Sequence, residues 1–325
     1  MIRGGFLLID KPAGPTSNDV LQQVKRTMTR CVGSRLKYGH AGTLDSFASG
    51  LLVVLVGNMT RLTPWFMHQS KEYEAVFRFG KETDTLDPNG RVIAECEPPS
   101  GEELVSVLPR FEGSIMQVPP AYSAVHSGGE RAYRQAMRGQ QPELQARPVM
   151  IERCALRSWD GLRATLSIRC SAGTYVRALA RDAGLACGSR AYVEALRRIR
   201  IGPFVVEDAV SPELCSLQTL RAFTPELAEG LGLRSAILRH EYLSRFLHGA
   251  RLSKAAIEIS ARGLSFEHLD AYPVSADSEG SEELALFAPV ENWPGGNSQK
   301  LEFLGIIQER GDYYQVRLVA AERKE

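Results

Sequence analysis

At 325 residues the chain has room for two domains, and its 44% hydrophobic and 24% charged residues match an ordinary globular protein rather than a disordered or fibrous one. A net charge of +1 excludes a uniformly basic nucleic-acid coat, and no run approaches membrane-span length. None of the six cysteines forms a C-x-x-C pair and the opening MIRGGFLLIDKPAG has no cleavage-site pattern, so reduced thiols, no signal peptide and a cytoplasmic location are expected.

In chain order, residues 6–9 read as a short buried strand that Pro12-Ala13-Gly14-Pro15 breaks. Thr16 or Ser17 is placed to cap a helix through Val20, Leu21 and Val24 to about Met28. A glycine-punctuated loop follows, Gly39-His40-Ala41-Gly42-Thr43-Leu44-Asp45, after which the alternative reading of Asp45 as a cap has a short helix over 46–49. Residues 51–56 are an aliphatic run of strand length, the pattern of a strand buried on both faces, and a helix is expected from there to about His68. From 71 to 80 apolar and polar residues alternate, with Tyr73, Ala75, Phe77 and Phe79 on one face. Asp87-Pro88-Asn89-Gly90 is a turn after which 92–94 pairs back.

Short helices are expected over 102–108 and 130–138, and Asp160-Gly161 marks a hairpin between two strand-like runs within 149–170. Residues 174–183 read as helix, and 192–196 fit either helix or strand. A connecting helix is expected over 212–227, then a small β-rich module with strands at 284–287, 303–307 and 313–319 and a flexible insertion over 275–283. Hairpins mixed with helices, without a βαβα rhythm, give an α+β fold class.

Charge is uneven along the chain. Residues 1–70 carry eight Lys/Arg against three acids, residues 151–203 carry ten arginines against four acids, and residues 265–292 carry seven acids and no Lys or Arg. Two basic blocks suit a phosphate-binding face, and scattered solvated charge explains them equally well.

Three elements carry candidate chemistry. In GHAGTLDSFASG, glycines allow tight backbone geometry that holds Asp45 rigidly; the plain alternative is an Asp capping the next helix. In CSAGTYVR, a glycine joins strand to helix and aims Tyr175 and Arg177 from the helix start; the guanidinium is a fork suited to a carboxylate, or to surface acids. In YVEALRRIRIGP, three arginines interleave with apolar residues, one face for phosphates and one for the core, or simply an amphipathic surface element. The six histidines show no metal-ligand spacing with cysteines or acids, and neither a P-loop nor G-x-G-x-x-G is present.

As an ordered set these stretches resemble the bacterial tRNA pseudouridine-55 synthase family, the TruB type: GFLLIDKPAGPTSNDV, GHAGTLDSFASGLLVVLVGNMTRL, KEYEAVFRFGKETDTLDPNG, QVPPAYSAVHSGGERAYRQAMRGQ, ARPVMIERC, CSAGTYVRALARDAG and VEALRRIRIGPF, covering most of 5–204. The resemblance implies a mixed, largely antiparallel sheet flanked by helices over 1–232, and a small PUA-like RNA-binding β domain over 233–325. It implies Asp45 as catalytic aspartate, Tyr73 and Tyr175 as aromatics of the base pocket, Arg177 as the partner of the aspartate, and Leu196 as an apolar pocket wall. His40 becomes an RNA-binding loop histidine, and Asp87 an acid of the wider network. Departures are Ala41, Ser46 where the family usually has Pro, and His126 where it commonly has Lys.

The activity so implied converts a T-arm uridine of tRNA to pseudouridine by base flipping, with no cofactor, no metal, no obligate protein partner and a monomeric chain. Asp45 is expected ionised, its pKa held low by Arg177. Two alternatives stay open: an RNA-binding or RNA-folding protein without required catalysis, and a guide-dependent ribosomal RNA synthase, against which the short tail Glu322-Arg323-Lys324-Glu325 argues.

Overall fold

The computed structural model describes residues 4–32, 36–259, 282–289 and 301–320. Among these, one nine-stranded sheet dominates. Its strands are β1 (Gly4–Lys11), β2 (Tyr38–His40), β3 (Ser49–Gly57), β4 (Lys71–Phe79), β5 (Gly113–Gln117), β6 (Arg147–Trp159), β7 (Arg163–Cys170), β8 (Ala191–Ile201) and β9 (Phe204–Val205). They run in the order β1-β3-β8-β4-β7-β6-β5, with β2 on β3 and β9 on β8. Every pairing is antiparallel except that of β3 with β8. This sheet is therefore mixed and largely antiparallel within an α+β fold.

The aliphatic run of β3 is buried from Gly50 to Gly57 because both faces are covered. Leu52, Val54 and Val56 pack with Val20, Val24 and Met28 of the helix Ser17–Val32, while Leu51, Val53 and Leu55 pack with Phe6, Leu62 and Phe66. In β4 the alternation holds, and Tyr73, Ala75, Phe77 and Phe79 pack under Val176, Leu179, Ala180 and Ala183 of the helix Val176–Ala186. Gly184 lets that helix lie against β8, since a Cβ there would meet the Ala191 amide nitrogen at 2.6 Å.

A second, six-stranded sheet comprises β10 (Arg234–Leu238), β11 (Leu252–Ser253), β12 (Ile257–Ile259), β13 (Glu283–Pro289), β14 (Leu301–Arg310) and β15 (Tyr313–Val319). Its order is β11-β15-β14-β13-β10-β12. It is fused to the first through aromatic packing. Phe66 stacks on Phe204 at 5.6 Å and tilts against Phe223 at 6.4 Å, and Phe223 in turn meets Phe303 at 4.5 Å and Phe287 at 6.2 Å. Across the same seam Asn58 Nδ2 donates to the Ala320 carbonyl at 2.7 Å, and Trp65 Nε1 to Glu283 Oε2 at 3.2 Å.

One local expectation is corrected and two open readings are settled. The helix expected over 212–227 is a 3-10 turn, Pro212–Leu214, and a helix, Pro225–Gly230, with extended chain between. Arg221 there exchanges backbone hydrogen bonds with Phe6 at 3.0 and 2.9 Å, Thr219 closes a turn with Ser216, and Pro225 keeps Thr224 extended. No helix forms over 46–49, where the Ala48 amide closes a turn onto the Asp45 carbonyl at 3.2 Å. The ambiguous segment 192–196 is strand, part of β8. The insertion over 275–283 falls largely outside the described residues.

Because the two sheets share one aromatic core, Phe287→Ala is expected to lower stability by about 3–5 kcal/mol. In urea the chain should unfold in one transition, seen alike by circular dichroism and tryptophan fluorescence; separate transitions would contradict a shared core.

Candidate active site

Asp45 stands at the end of an irregular loop that its neighbours fasten from several sides. Ser17 Oγ, at the start of the first helix, exchanges 2.8 Å hydrogen bonds with the Leu44 amide and carbonyl. Thr16 does the capping, through reciprocal bonds with Asp19, which leaves Ser17 for this task. Gly14 N donates to the Ser46 carbonyl at 2.7 Å. Lys11, wholly buried, donates from Nζ to the carbonyls of Ala48 (2.7 Å), Ser46 (3.3 Å), Pro15 (2.7 Å) and Pro12 (2.9 Å). Its ammonium thus stitches the end of β1 to the two residues flanking Phe47. Burial brings its pKa down to about 8, Asp45 opposing that fall.

Arg177 reaches the same point from 132 positions downstream. Its Nε lies 2.8 Å from Asp45 Oδ2 and its Nη2 donates to Oδ1 at 3.2 Å, a two-point grip on the carboxylate. The guanidinium is fixed on its other edges by the Thr85 carbonyl (2.8 Å) and the Tyr122 carbonyl (3.0 Å), with Asp87 Oδ2 at 3.8 Å. The Arg177 side chain is 6% exposed and that of Asp45 is 37% exposed. The ion pair therefore has a buried, immobile cation and an anion with one side open. Asp87 is itself held by its turn: its Oδ1 accepts from Thr85 Oγ1 (2.7 Å) and the Asn89 amide (2.9 Å).

The expectation that Arg177 keeps the Asp45 pKa low is corrected. Burial raises it above the ordinary carboxylate value and outweighs Arg177, with Asp87 adding to the rise.

The open side of Asp45 faces a cleft of about 490 Å³, large enough for a nucleotide-sized ligand. Tyr73, Tyr175, Arg177 and Leu196 line it with Asp45, so the structure gathers five of the six sequence-predicted residues. Leu196 and Tyr73 come from adjoining strands β8 and β4 and are nearly buried. Tyr175 directly precedes its helix, its amide donating to Gln117 Oε1 at 2.8 Å. Burial pushes the Tyr73 hydroxyl up to about 12. His40 does not line the cleft: it ends β2, paired with Val54, its Nδ1 without a partner among the described residues and its pKa lowered by burial and by Arg198. Among the described residues, no group of three His, Cys, Asp or Glu side chains is arranged to hold a metal ion.

Three cations of the site were not singled out from sequence: Lys11, Lys71 and Arg198. Among the described residues Arg198 is the largest fully buried side chain, at 1% exposure, and lines the cleft beside Tyr73, its cross-strand partner. Lys71 lies two residues from Tyr73 on the same face of β4 and donates to the Met67 and Gln69 carbonyls. Burial, reinforced by Arg198, brings its pKa to about 7. The strand parity of β4 held the signal for Lys71. For Arg198 the signal was its two-residue spacing from Leu196, readable only once that segment is known to be strand.

Between pH 7 and pH 10.5 the unfolded chain binds a proton at Lys71 that the folded chain does not, so stability from this group rises with pH across that window. Below it both states are protonated and the burial cost is fully present. The unfolding free energy of the native chain minus that of Lys71→Met should therefore increase from pH 7 to pH 10 in urea titrations; a constant difference would contradict the assignment.

The description "TruB family pseudouridylate synthase (N terminal domain)" fits residues 26–176. The tRNA pseudouridine synthase B of Borreliella burgdorferi (strain ZS7) is 42% identical over 231 residues, covering 68% of this chain and 80% of that protein. Its namesake in Bordetella avium (strain 197N) is 42% identical over 233 residues, 70% of this chain and 91% of that one. Among solved structures, an H/ACA ribonucleoprotein bound to a substrate RNA containing 2′-deoxyuridine superposes with a TM-score of 0.65 at 20% identity, covering 99% of this chain and 86% of that one, a likeness of fold.

Proposed function

This chain belongs to the TruB family of tRNA pseudouridine synthases, and from that premise we propose that it isomerises uridine 55 in the T-loop of tRNA, with Asp45 as its essential carboxylate. The protein is an isomerase of tRNA. The observation that carries the finer reading is the two-point Asp45–Arg177 pair at the mouth of an aromatic-lined cleft.

The target base is stacked within the folded T-loop and must swing out before it can react. Tyr73 and Leu196 offer it a flat apolar slot, and stacking on an aromatic is worth about 1–3 kcal/mol per base. With its hydroxyl pushed up to about 12, Tyr73 meets the base as a neutral phenol, a platform and hydrogen-bond donor rather than a ready proton acceptor. Breaking the glycosidic bond builds positive charge at the anomeric carbon, which ionised Asp45 stabilises or traps; removal of a neighbouring ribose proton is the alternative first step open to the same carboxylate. Arg177 holds the carboxylate oxygens in one orientation through either route.

The partner of the site is the T-arm, recognised by shape and by phosphates against the arginine-rich β6–β8 region, so binding should weaken with salt. His40 is proposed to contact the RNA outside the cleft. We assign residues 1–232 to catalysis and 233–325 to an RNA-binding module, in a monomeric chain that needs no protein partner and works in the cytoplasm.

Purified chain incubated with unmodified tRNA should produce pseudouridine at position 55, mapped by nucleoside-specific chemistry. Asp45→Asn should bind T-arm RNA within about threefold of the native chain yet form no product; normal turnover by that variant would sink the assignment. Because burial raises the Asp45 pKa and Arg177 opposes it, the acid limb of kcat/KM should lie above the ordinary carboxylate value and move to still higher pH in Arg177→Met. A limb that stays put, or moves to lower pH, would contradict the pairing.

A further inference from the structure

We propose that Arg198 is a catalytic residue that stabilises the negative charge developing on the uracil as its glycosidic bond breaks. The inference rests on the reaction proposed above and adds a cation to its electrostatics beside the anionic Asp45.

Arg198 is fixed by the fold rather than by a counter-ion. Its Nε donates to the Leu51 carbonyl at 2.8 Å and its Nη2 to the Gly42 carbonyl at 3.0 Å. Gly50 makes the placement possible, because a Cβ at that position would lie 2.2 Å from the Arg198 carbonyl oxygen. Among the described residues no carboxylate lies within 4.0 Å of Arg198 or of neighbouring Lys71. Asp45 is gripped by Arg177, and Arg197, the adjacent residue, pairs outward with Asp10 at 2.8 Å. The Cys170 thiol near Lys71, pushed up to about 12 by burial, supplies no anion at neutral pH.

A buried guanidinium without a carboxylate is costly unless something satisfies it. Its five N–H bonds exceed what the two carbonyls take; Tyr73, its cross-strand partner, is hydrogen-bonded to it, and its side chain lines the cleft. The missing anion is therefore one that appears in the cleft. In the proposed reaction the electron pair of the C1′–N1 bond passes to N1 and spreads over the two uracil carbonyl oxygens. C5 then bonds to C1′, and the proton lost from C5 balances the one that N1 takes up, so no co-reactant is consumed. A cation preset where that charge gathers, in a site shielded from water, lowers the barrier without moving.

The rival role is structural, since Arg198 ties Gly42 of the Asp45 loop to β3. The two roles separate by leaving-group dependence. T-arm stem-loops carrying uridine or 5-fluorouridine at the target are compared under single-turnover conditions, reading loss of the target nucleoside. Fluorine withdraws electrons and makes uracil a better leaving anion, so it needs less help. Arg198→Met should slow the uridine substrate by about 100-fold or more, the loss typical of removing one such donor, and the fluorinated one by about 10-fold or less. Should the Met variant not fold, Arg198→Lys is read in the same way, with smaller losses in the same order. Equal losses on both substrates in the variant that folds, or no loss on uridine, overturn the proposal. Native chain that leaves T-arm uridine unconverted would instead refute the target assignment.

Discussion

A guanidinium sunk beneath the surface meets a carboxylate left half open: Arg177 and Asp45 form the contact on which the rest of the site depends. The pair joins residues 132 positions apart, so it exists only when the large sheet has closed and the helix Val176–Ala186 lies across β4. Arg177 is braced by the carbonyls of Thr85 and Tyr122 and approached by Asp87, which makes it a fixed post rather than a mobile surface arginine. The loop bearing Asp45 is braced independently by Lys11, Ser17 and Gly14. Two separately anchored groups then meet with little freedom left to lose, the condition under which an oriented carboxylate is most effective.

Around this pair the cleft is lined by charges of both signs. Asp45 is the anion of its lining, and Arg198 and Lys71 line it beside Tyr73. A reaction that separates a sugar cation from a base anion is served at both ends by such a layout. The same burial that makes the layout effective also perturbs it: it raises Asp45, pushes the Tyr73 hydroxyl beyond reach at neutral pH and takes Lys71 down to about 7.

Elements whose pattern is local were legible in the sequence. The uninterrupted β3 run and the alternation of β4 show which faces are buried, and Asp160-Gly161 marks its hairpin. Asp45 and Arg177 were legible as candidates through glycine-bracketed motifs, and their order supplied the family. Long-range contacts hid the rest. Lys11 looks like a lysine before a proline until the carbonyls of Ser46 and Ala48 arrive 35 and 37 positions later. Which of Arg197, Arg198 and Arg200 turns inward depends on whether that stretch is strand, and pattern alone could not decide it. The helix expected over 212–227 lost to sheet-edge pairing between Arg221 and Phe6, a tertiary contact that overrides local propensity. The low pKa expected of Asp45 counted the arginine and not the burial.

The most direct test is a structure of the chain bound to a T-arm stem-loop with 5-fluorouridine at the target position. A carboxylate oxygen of Asp45 should lie within about 3.5 Å of C1′ or C2′ of that nucleotide, near-attack distance, with Arg177 still holding it at two points and the base turned into the slot of Tyr73 and Leu196. A target ribose seated elsewhere, or an Asp45 swung away from both the sugar and Arg177, would contradict the account.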